Sequence, residues 1–318
     1  MHILSEAPSR ISLFGGSSDL PDYYYDHGGV VISLAINLRT QIHFYQGEDS
    51  WDNPGTKFPH GANPDLYYSI LTRMGVGGRH AATSRSSFDG VIGAGLGSSA
   101  SFSVALIAAI KKAKGEKIDR RVVAELAWDA EQKIGRTGGK QDQYAAAYGG
   151  ANVIIFPPHG EKIDIIGYER EPIEDLIGSL VLFYIGGTRE SSSLQQKLRK
   201  PTKEQIAGID SIKDIAMVAH KAMLRGNITA LGELLHESWL AKRQLNSKIS
   251  SSKIDDIYAY GRQQGALGGK ICGAGGCGYM LFIVPKEKRA AFVDKMRIKH
   301  LEETDFSVNW DGVQTRII

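Results

Sequence analysis

The residue types with the most chemical potential lie in Gly93-Ala94-Gly95-Leu96-Gly97-Ser98-Ser99-Ala100-Ser101, directly before an apolar-periodic run. Alternating glycines let a backbone turn tightly and approach a ligand closely. Their amides can converge into one concavity that suits an anion. A helix starting at Ser98 adds free N–H groups and about half a positive charge. A polyphosphate is the natural guest, against Gly93, Gly95, Leu96, Gly97, Ser98, Ser99 and Ala100. One of the two serine hydroxyls could reach a phosphate-bound Mg²⁺. The string is not a Walker A loop, which ends in Gly-Lys-Ser/Thr. It is not a dinucleotide fingerprint either, whose third glycine would replace Ser98. The plain alternative is a glycine-rich turn with serine as N-cap.

Phosphoryl transfer from ATP needs Mg²⁺ on the β- and γ-oxygens and a group beside the accepting hydroxyl. Magnesium takes oxygen ligands, commonly one or two from protein. Glu131 projects from the edge of an apolar helix face, after Ala127 and before Ile134. It is a candidate metal ligand, or else a solvated rim glutamate. Asp142 lies in Gly138-Gly139-Lys140-Gln141-Asp142-Gln143. The double glycine lets the chain come close to a substrate, and Asp142 would accept a sugar proton. An ordinary carboxylate is a weak base at pH 7, so orientation and charge should matter more than basicity. Lys140 is expected to lower the aspartate pKa further and to steady anionic oxygens. A helix cap is the plain alternative for Asp142.

Arg10 interrupts an apolar alternation after Ala7-Pro8-Ser9. It is either a paired core-edge arginine or a bidentate partner for carboxylate or phosphate. Asp19, with Ser17 in the polar turn before it, could hold sugar hydroxyls. Gly273-Ala274-Gly275-Gly276-Cys277-Gly278 is a second glycine-dense loop. Two such loops in separate blocks suggest a ligand cleft between domains.

Elements must position these residues. Strands are expected over 30–36 and 40–45, and a polar loop over 46–64. A helix is expected over 98–112, from the spacing of Phe102, Ala105, Leu106, Ala109 and Ile110. Asp119 should cap the next helix, which runs to about Ile134 and stops at Gly135. A strand over 151–156 ends at a double proline. A second block begins near Ser179, with the domain boundary near 175: strand 180–185, helices 203–225, 228–247 and 253–264, strand 278–284, an amphipathic stretch over 287–300 and a closing strand over 313–318.

The bulk numbers permit this. The chain has 318 residues, 42% hydrophobic and 23% charged, near the globular average. A net charge of +3 is too small to argue for nucleic acid. Two cysteines, Cys272 and Cys277, exclude a disulfide framework and read as small buried residues in a reducing compartment. No apolar run approaches a membrane span, and no signal peptide is evident at the N-terminus, so a cytoplasmic location is expected.

The three segments together resemble the GHMP kinases: Ala7–Leu20, Gly93–Ser101 and Lys270–Gly278 occur in the family's order and spacing, across nearly the whole chain. The resemblance implies an α+β fold of two domains. Residues 1–174 would be ribosomal protein S5 domain 2-like and bind ATP, and residues 175–318 would be ferredoxin-like. It further implies Ser99 and Glu131 as Mg²⁺ ligands and Asp142 as base. Arg10 falls where galactokinases carry arginine, which favours a sugar.

Gly15–Tyr24 with His27-Gly28-Gly29, and Gly138–Tyr144, look like the heptose 7-phosphate kinase branch, which implies phosphorylation at O1. ATP and a small sugar phosphate are then the expected partners, with neither nucleic acid nor membrane. Arg189, in Gly187–Ser193, is the expected receptor of the 7-phosphate. Gly139 and Gly275 are expected to line the sugar site with Arg10, Ser17, Asp19 and Asp142. Two departures stand out: Val91 and Ile92 replace the family's frequent prolines, and Ser9 replaces its usual glycine. Alternatives are a fucokinase- or galactokinase-like enzyme for a neutral sugar, and a sensor without catalysis.

Overall fold

In the computed structural model of the protein, residues 1–46, 63–76, 80–86, 93–187 and 200–318 are described. Nine strands form two antiparallel sheets among them. The larger sheet holds β1 (His2–Phe14), β2 (Gly29–Gln46), β3 (His80–Ser86), β4 (Ala151–Phe156), β5 (Asp164–Gly167) and β9 (Gln314–Ile317), in the order β5-β4-β2-β1-β9 with β3 also on β2. The smaller sheet, of the ferredoxin-like half, has the order β6-β8-β7, from Leu180–Gly186, Gly278–Ile283 and Gly268–Ile271. The last strand returns to the first sheet by pairing with β1, Ile3 opposite Ile317. The α+β architecture of two domains is as expected.

The expected strands over 30–36 and 40–45 form one continuous element, β2. The break between them is a bulge: Pro8 pairs with Arg39, but Ser9 pairs with Ile36. A bulge kinks a strand and re-aims its neighbours. The unpaired Asn37 is satisfied elsewhere, its N donating to Ser307 O at 2.9 Å. The kink falls directly before Arg10.

Ten helices cover these sheets among the described residues: α1 (Pro21–His27), α2 (Pro64–Arg73), α3 (Ser98–Ala113), α4 (Arg120–Lys133), α5 (Gln141–Tyr148), α6 (Arg170–Ser179), α7 (Lys203–Leu224), α8 (Ile228–Leu245), α9 (Ser252–Gln263) and α10 (Arg289–Arg297). Helix α3 is buried from Ala100 to Lys111, which explains its apolar run. Asp119 caps α4, accepting from the amides of Arg121 at 2.9 Å and Val122 at 3.1 Å. None of these helices is long and apolar enough to cross a membrane. Cys272 is buried and Cys277 half-buried. The loop expected over 46–64 falls mostly outside the described residues, as do Val91 and Ile92.

Candidate active site

The glycine loop adopts the conformation that its composition predicts. Gly93, Gly95 and Gly97 have φ of 87°, 90° and 75°, in the left-handed region where a Cβ is penalised. Gly97 directly precedes α3, so the turn runs straight into the free amides of the helix start. The Gly93 amide donates to Ser98 Oγ at 3.4 Å and closes the turn. Leu96 and Ala100 are buried behind it.

The second glycine loop buttresses the first. A Cβ on Gly95 would lie 2.6 Å from Cys272 O, and one on Gly278 would lie 2.1 Å from Ala94 O. Side chains at these positions would force the two backbones apart. Gly275 packs on Ile249, whose carbonyl also accepts the Gly276 amide at 2.9 Å.

Two acidic groups meet at the loop. Ser99 Oγ donates to Glu131 Oε1 at 2.7 Å, and Gln143 Nε2 donates to Oε2 at 2.8 Å. Glu131 is 7% exposed. Burial pushes its carboxyl up to about 7, against the opposing hydrogen bond from Ser99. Asp142 sits in the first turn of α5. Its Oδ1 accepts from Arg10 Nε at 2.8 Å and lies 2.7 Å from Arg10 Nη2. Its Oδ2 would lie 3.5 Å from a Cβ on Gly97, at the mouth of the glycine loop. Arg10 Nη1 donates to Gly95 O at 2.6 Å, and the Arg10 amide to Leu96 O at 2.8 Å. The sequence offered two readings of Arg10, and the carboxylate pair is the one realised.

Asp19 is 2% exposed and accepts from the Gln141 amide and from Gln141 Nε2, each at 3.1 Å, and from the Ser17 amide at 3.2 Å. Burial raises its pKa. The close approach that Gly139 permits is to Asp19, whose Oδ2 would stand 1.9 Å from a Cβ there. Lys140 turns away from Asp142: its ammonium binds Glu125 Oε2 at 2.7 Å and lies 4.5 Å from the centroid of the Trp128 ring. It anchors α5 to α4. Arg189 lies outside the described residues, and Gly187 before them sits against Cys277.

Several site residues escaped the sequence. Lys242 Nζ donates to Gly273 O at 2.6 Å, and Lys270 Nζ donates to Leu13 O at 3.1 Å. Burial first, then Arg10, brings the Lys242 ammonium down to about 8, and burial lowers Lys270 well below its ordinary value. Lys242 had a readable signal: it lies on the buried stripe of α8 with Leu235, Trp239 and Leu245. Arg136, which donates from Nη1 to Ser99 Oγ, had none, since it lies in a polar connection between helices.

Among the described residues no group of three or more His, Cys, Asp or Glu could hold a metal. Ser99 and Glu131 instead offer hard oxygens 2.7 Å apart. Such a pair fits an ion that completes its shell with phosphate and water, as Mg²⁺ does.

Residues 71–150 match the GHMP kinases N terminal domain, and residues 219–300 match the GHMP kinases C terminal. The chain belongs to the GHMP kinases. As a GHMP kinase it is an ATP-dependent phosphotransferase of the sugar and isoprenoid kinase group. It is 27% identical to a D-glycero-alpha-D-manno-heptose 7-phosphate kinase of Campylobacter jejuni over 98% of both chains. It is 28% identical to a galactokinase of Thermococcus kodakarensis over 89% of both. A crystal structure of a D-glycero-D-manno-heptose 1-phosphate kinase from Bacteroides thetaiotaomicron has this fold, with a TM-score of 0.78 at 22% identity over 99% of both chains. The structure of a Lactococcus lactis galactokinase complexed with galactose gives a TM-score of 0.71 at 18% identity, over 99% of this chain and 95% of that one. In this GHMP kinase the glycine loop, Ser99–Glu131 and Arg10–Asp142 converge on one place.

Proposed function

We propose that this GHMP kinase transfers the γ-phosphoryl of ATP to O1 of D-glycero-D-manno-heptose 7-phosphate, giving the 1,7-bisphosphate. The observation that carries the reading is the Arg10–Asp142 pair at the mouth of the glycine loop, 2.7 Å apart. The Campylobacter jejuni relative, matched over nearly all of both chains, supports the choice of sugar.

The amides of Gly93–Ala100 and the start of α3 would hold the phosphates. Ser99 and Glu131 would hold Mg²⁺, which when bound neutralises β- and γ-phosphate charge. Arg10 keeps Oδ1 of Asp142 occupied, so Oδ2 is the oxygen left to orient the sugar hydroxyl and take its proton. The transition state is loose, so the proton moves late and alignment outweighs basicity. Lys140 would act by holding α5 through Glu125 rather than by touching substrate. Asp19, Ser17 and Gly139 would line the sugar side, with Gly275 behind the nucleotide loop. Arg189 would receive the 7-phosphate from outside the described residues.

A kinase of a neutral sugar is the second reading, favoured by the galactokinase match. One assay separates the two: ADP release with heptose 7-phosphate against free fucose, galactose and mannose. Turnover confined to the unphosphorylated sugars would sink the heptose reading.

A further inference from the structure

The guanidinium of Arg136 has no part in the chemistry above, yet it touches the centre of the site. Its Nη1 donates to Ser99 Oγ, the oxygen that itself donates to Glu131 Oε1 at 2.7 Å. The Arg136 amide donates to Glu131 O at 3.0 Å, which anchors the connection between α4 and α5 beside the site. The side chain is half-buried and reaches the start of α3 through Ser99.

Its charge has no direct ion pair among the described residues, and it meets Glu131 only through the Ser99 hydroxyl. Among the described residues, no carboxylate lies within 4.0 Å of Arg136 to form an ion pair. Arginine cannot shed its proton, and it carries five donors in a rigid fork. One hydroxyl occupies one donor and neutralises nothing. Glu131 feels the field of Arg136, but its two oxygens are held by Ser99 and Gln143. A guanidinium that ends on Ser99 Oγ, in the first turn of α3 beside the glycine loop, is placed to meet an anion held there. Phosphate oxygens are the partners for which a guanidinium fork is best shaped.

The contact with Ser99 is also one that the loaded site would break. A divalent ion on Ser99 Oγ would stand beside a guanidinium on the same oxygen, and like charges that close repel. The guanidinium must leave, and the nearest new anion is the phosphate chain that arrives with the ion.

We propose that Arg136 is a phosphate-binding residue of the kinase: it rests on Ser99 in the free protein and moves onto a β- or γ-phosphate oxygen of bound ATP, where it stabilises the phosphoryl group in transfer. This rests on the reading of Gly93–Ala100 as the phosphate pocket. The bonds exchanged are unaltered. The γ-phosphorus breaks from the bridging oxygen of ADP and bonds to the sugar oxygen, whose proton goes to Asp142. Arg136 gives and takes no proton. An arginine placed this way in phosphoryl transfer is worth about 10³-fold or more in rate.

Calorimetric titration of the full chain with ATP in EDTA, and with ATP plus Mg²⁺, tests this in the wild type, Arg136→Lys and Arg136→Gln. Metal-free ATP should bind Arg136→Gln at least about tenfold more weakly than wild type, with Arg136→Lys between them. kcat on heptose 7-phosphate should fall at least about 10³-fold in Arg136→Gln. The melting temperature of the free protein should stay within about 2 °C, because the side chain is half-exposed. If Arg136 only orients Ser99, the variants lose Mg²⁺ affinity and keep metal-free ATP binding, which overturns the proposal. Equal ATP binding and kcat within twofold of wild type overturn it too, while leaving the pocket in place. A wild type that binds no ATP with or without Mg²⁺ removes the pocket, and Arg136's role with it.

Discussion

Arg10 and Asp142, 132 positions apart, meet on a single oxygen: Nε at 2.8 Å and Nη2 at 2.7 Å from Oδ1. The remaining nitrogen of the fork holds Gly95 O at 2.6 Å. One buried side chain therefore ties β1, the glycine loop and α5 together. Arg10→Met should lower kcat on the order of 10²-fold and cost about 3 kcal/mol of stability, since it strands a partly buried carboxylate. Urea melts and steady-state kinetics check both. A variant as stable and active as wild type would show that the pair is ornamental.

Asp142→Asn keeps the shape and removes the charge. kcat should fall on the order of 10²–10⁴-fold. ATP affinity measured by calorimetry should barely change, because the pocket amides are untouched. Turnover near wild type would exclude Asp142 as the proton acceptor.

Glu131 links pH to metal binding. Its carboxyl is raised to about 7 by burial, and the metal needs the ionised form. The Mg²⁺ concentration for half-maximal rate should fall as pH rises from 6 to 8, and Glu131→Gln should abolish that trend. In the metal-free protein the sign reverses. A folded pKa above the unfolded value near 4.5 contributes stability that is fully present below 4.5 and is lost as pH rises through about 7. The melting temperature of wild type relative to Glu131→Gln should decline across that window.

Gly95→Ala tests the contact between the two glycine loops. The new Cβ would stand 2.6 Å from Cys272 O at a φ of 90°. The strain is on the order of 1–3 kcal/mol. The lower melting temperature should come with a KM for ATP raised at least about tenfold, because the loop must shift. An unchanged KM would detach this loop from the nucleotide.

Lys242 gives a second pH signature. Its ammonium is brought down to about 8, chiefly by burial. Between about 8 and 10.5 the unfolded chain binds the extra proton, so folding gains stability as pH rises through that range. The melting temperature of wild type minus that of Lys242→Met should therefore increase from pH 8 to pH 10. A flat difference would mean that Lys242 titrates alike in both states.

What the sequence determined by itself was local. Helix α3 begins at Ser98 as expected, because the glycines before it need positive φ and the apolar residues after it recur at helical spacing. The cap at Asp119 and the strand Ala151–Phe156 were legible for the same reason: each depends on side chains within a few residues. The resemblance implied roles for Ser99, Glu131 and Asp142 together, and in the structure Ser99 bonds Glu131 while Asp142 stands beside Gly97. Tertiary packing decided the partners. Lys140 lies two residues from Asp142 in the chain, yet it pairs with Glu125, because the turn into α5 points the two side chains apart. Residues 37–39 read as a break between strands, yet the strand runs through them with a bulge at which the Asn37 amide is satisfied by Ser307. Arg10 could pair with carboxylate or phosphate on the sequence alone, and the packed chain sets it against Asp142. Backbone preferences act over a few bonds and are written in residue order. Charge pairs, bulges and loop-on-loop contacts join positions a hundred or more apart, and only the packed chain brings them within reach.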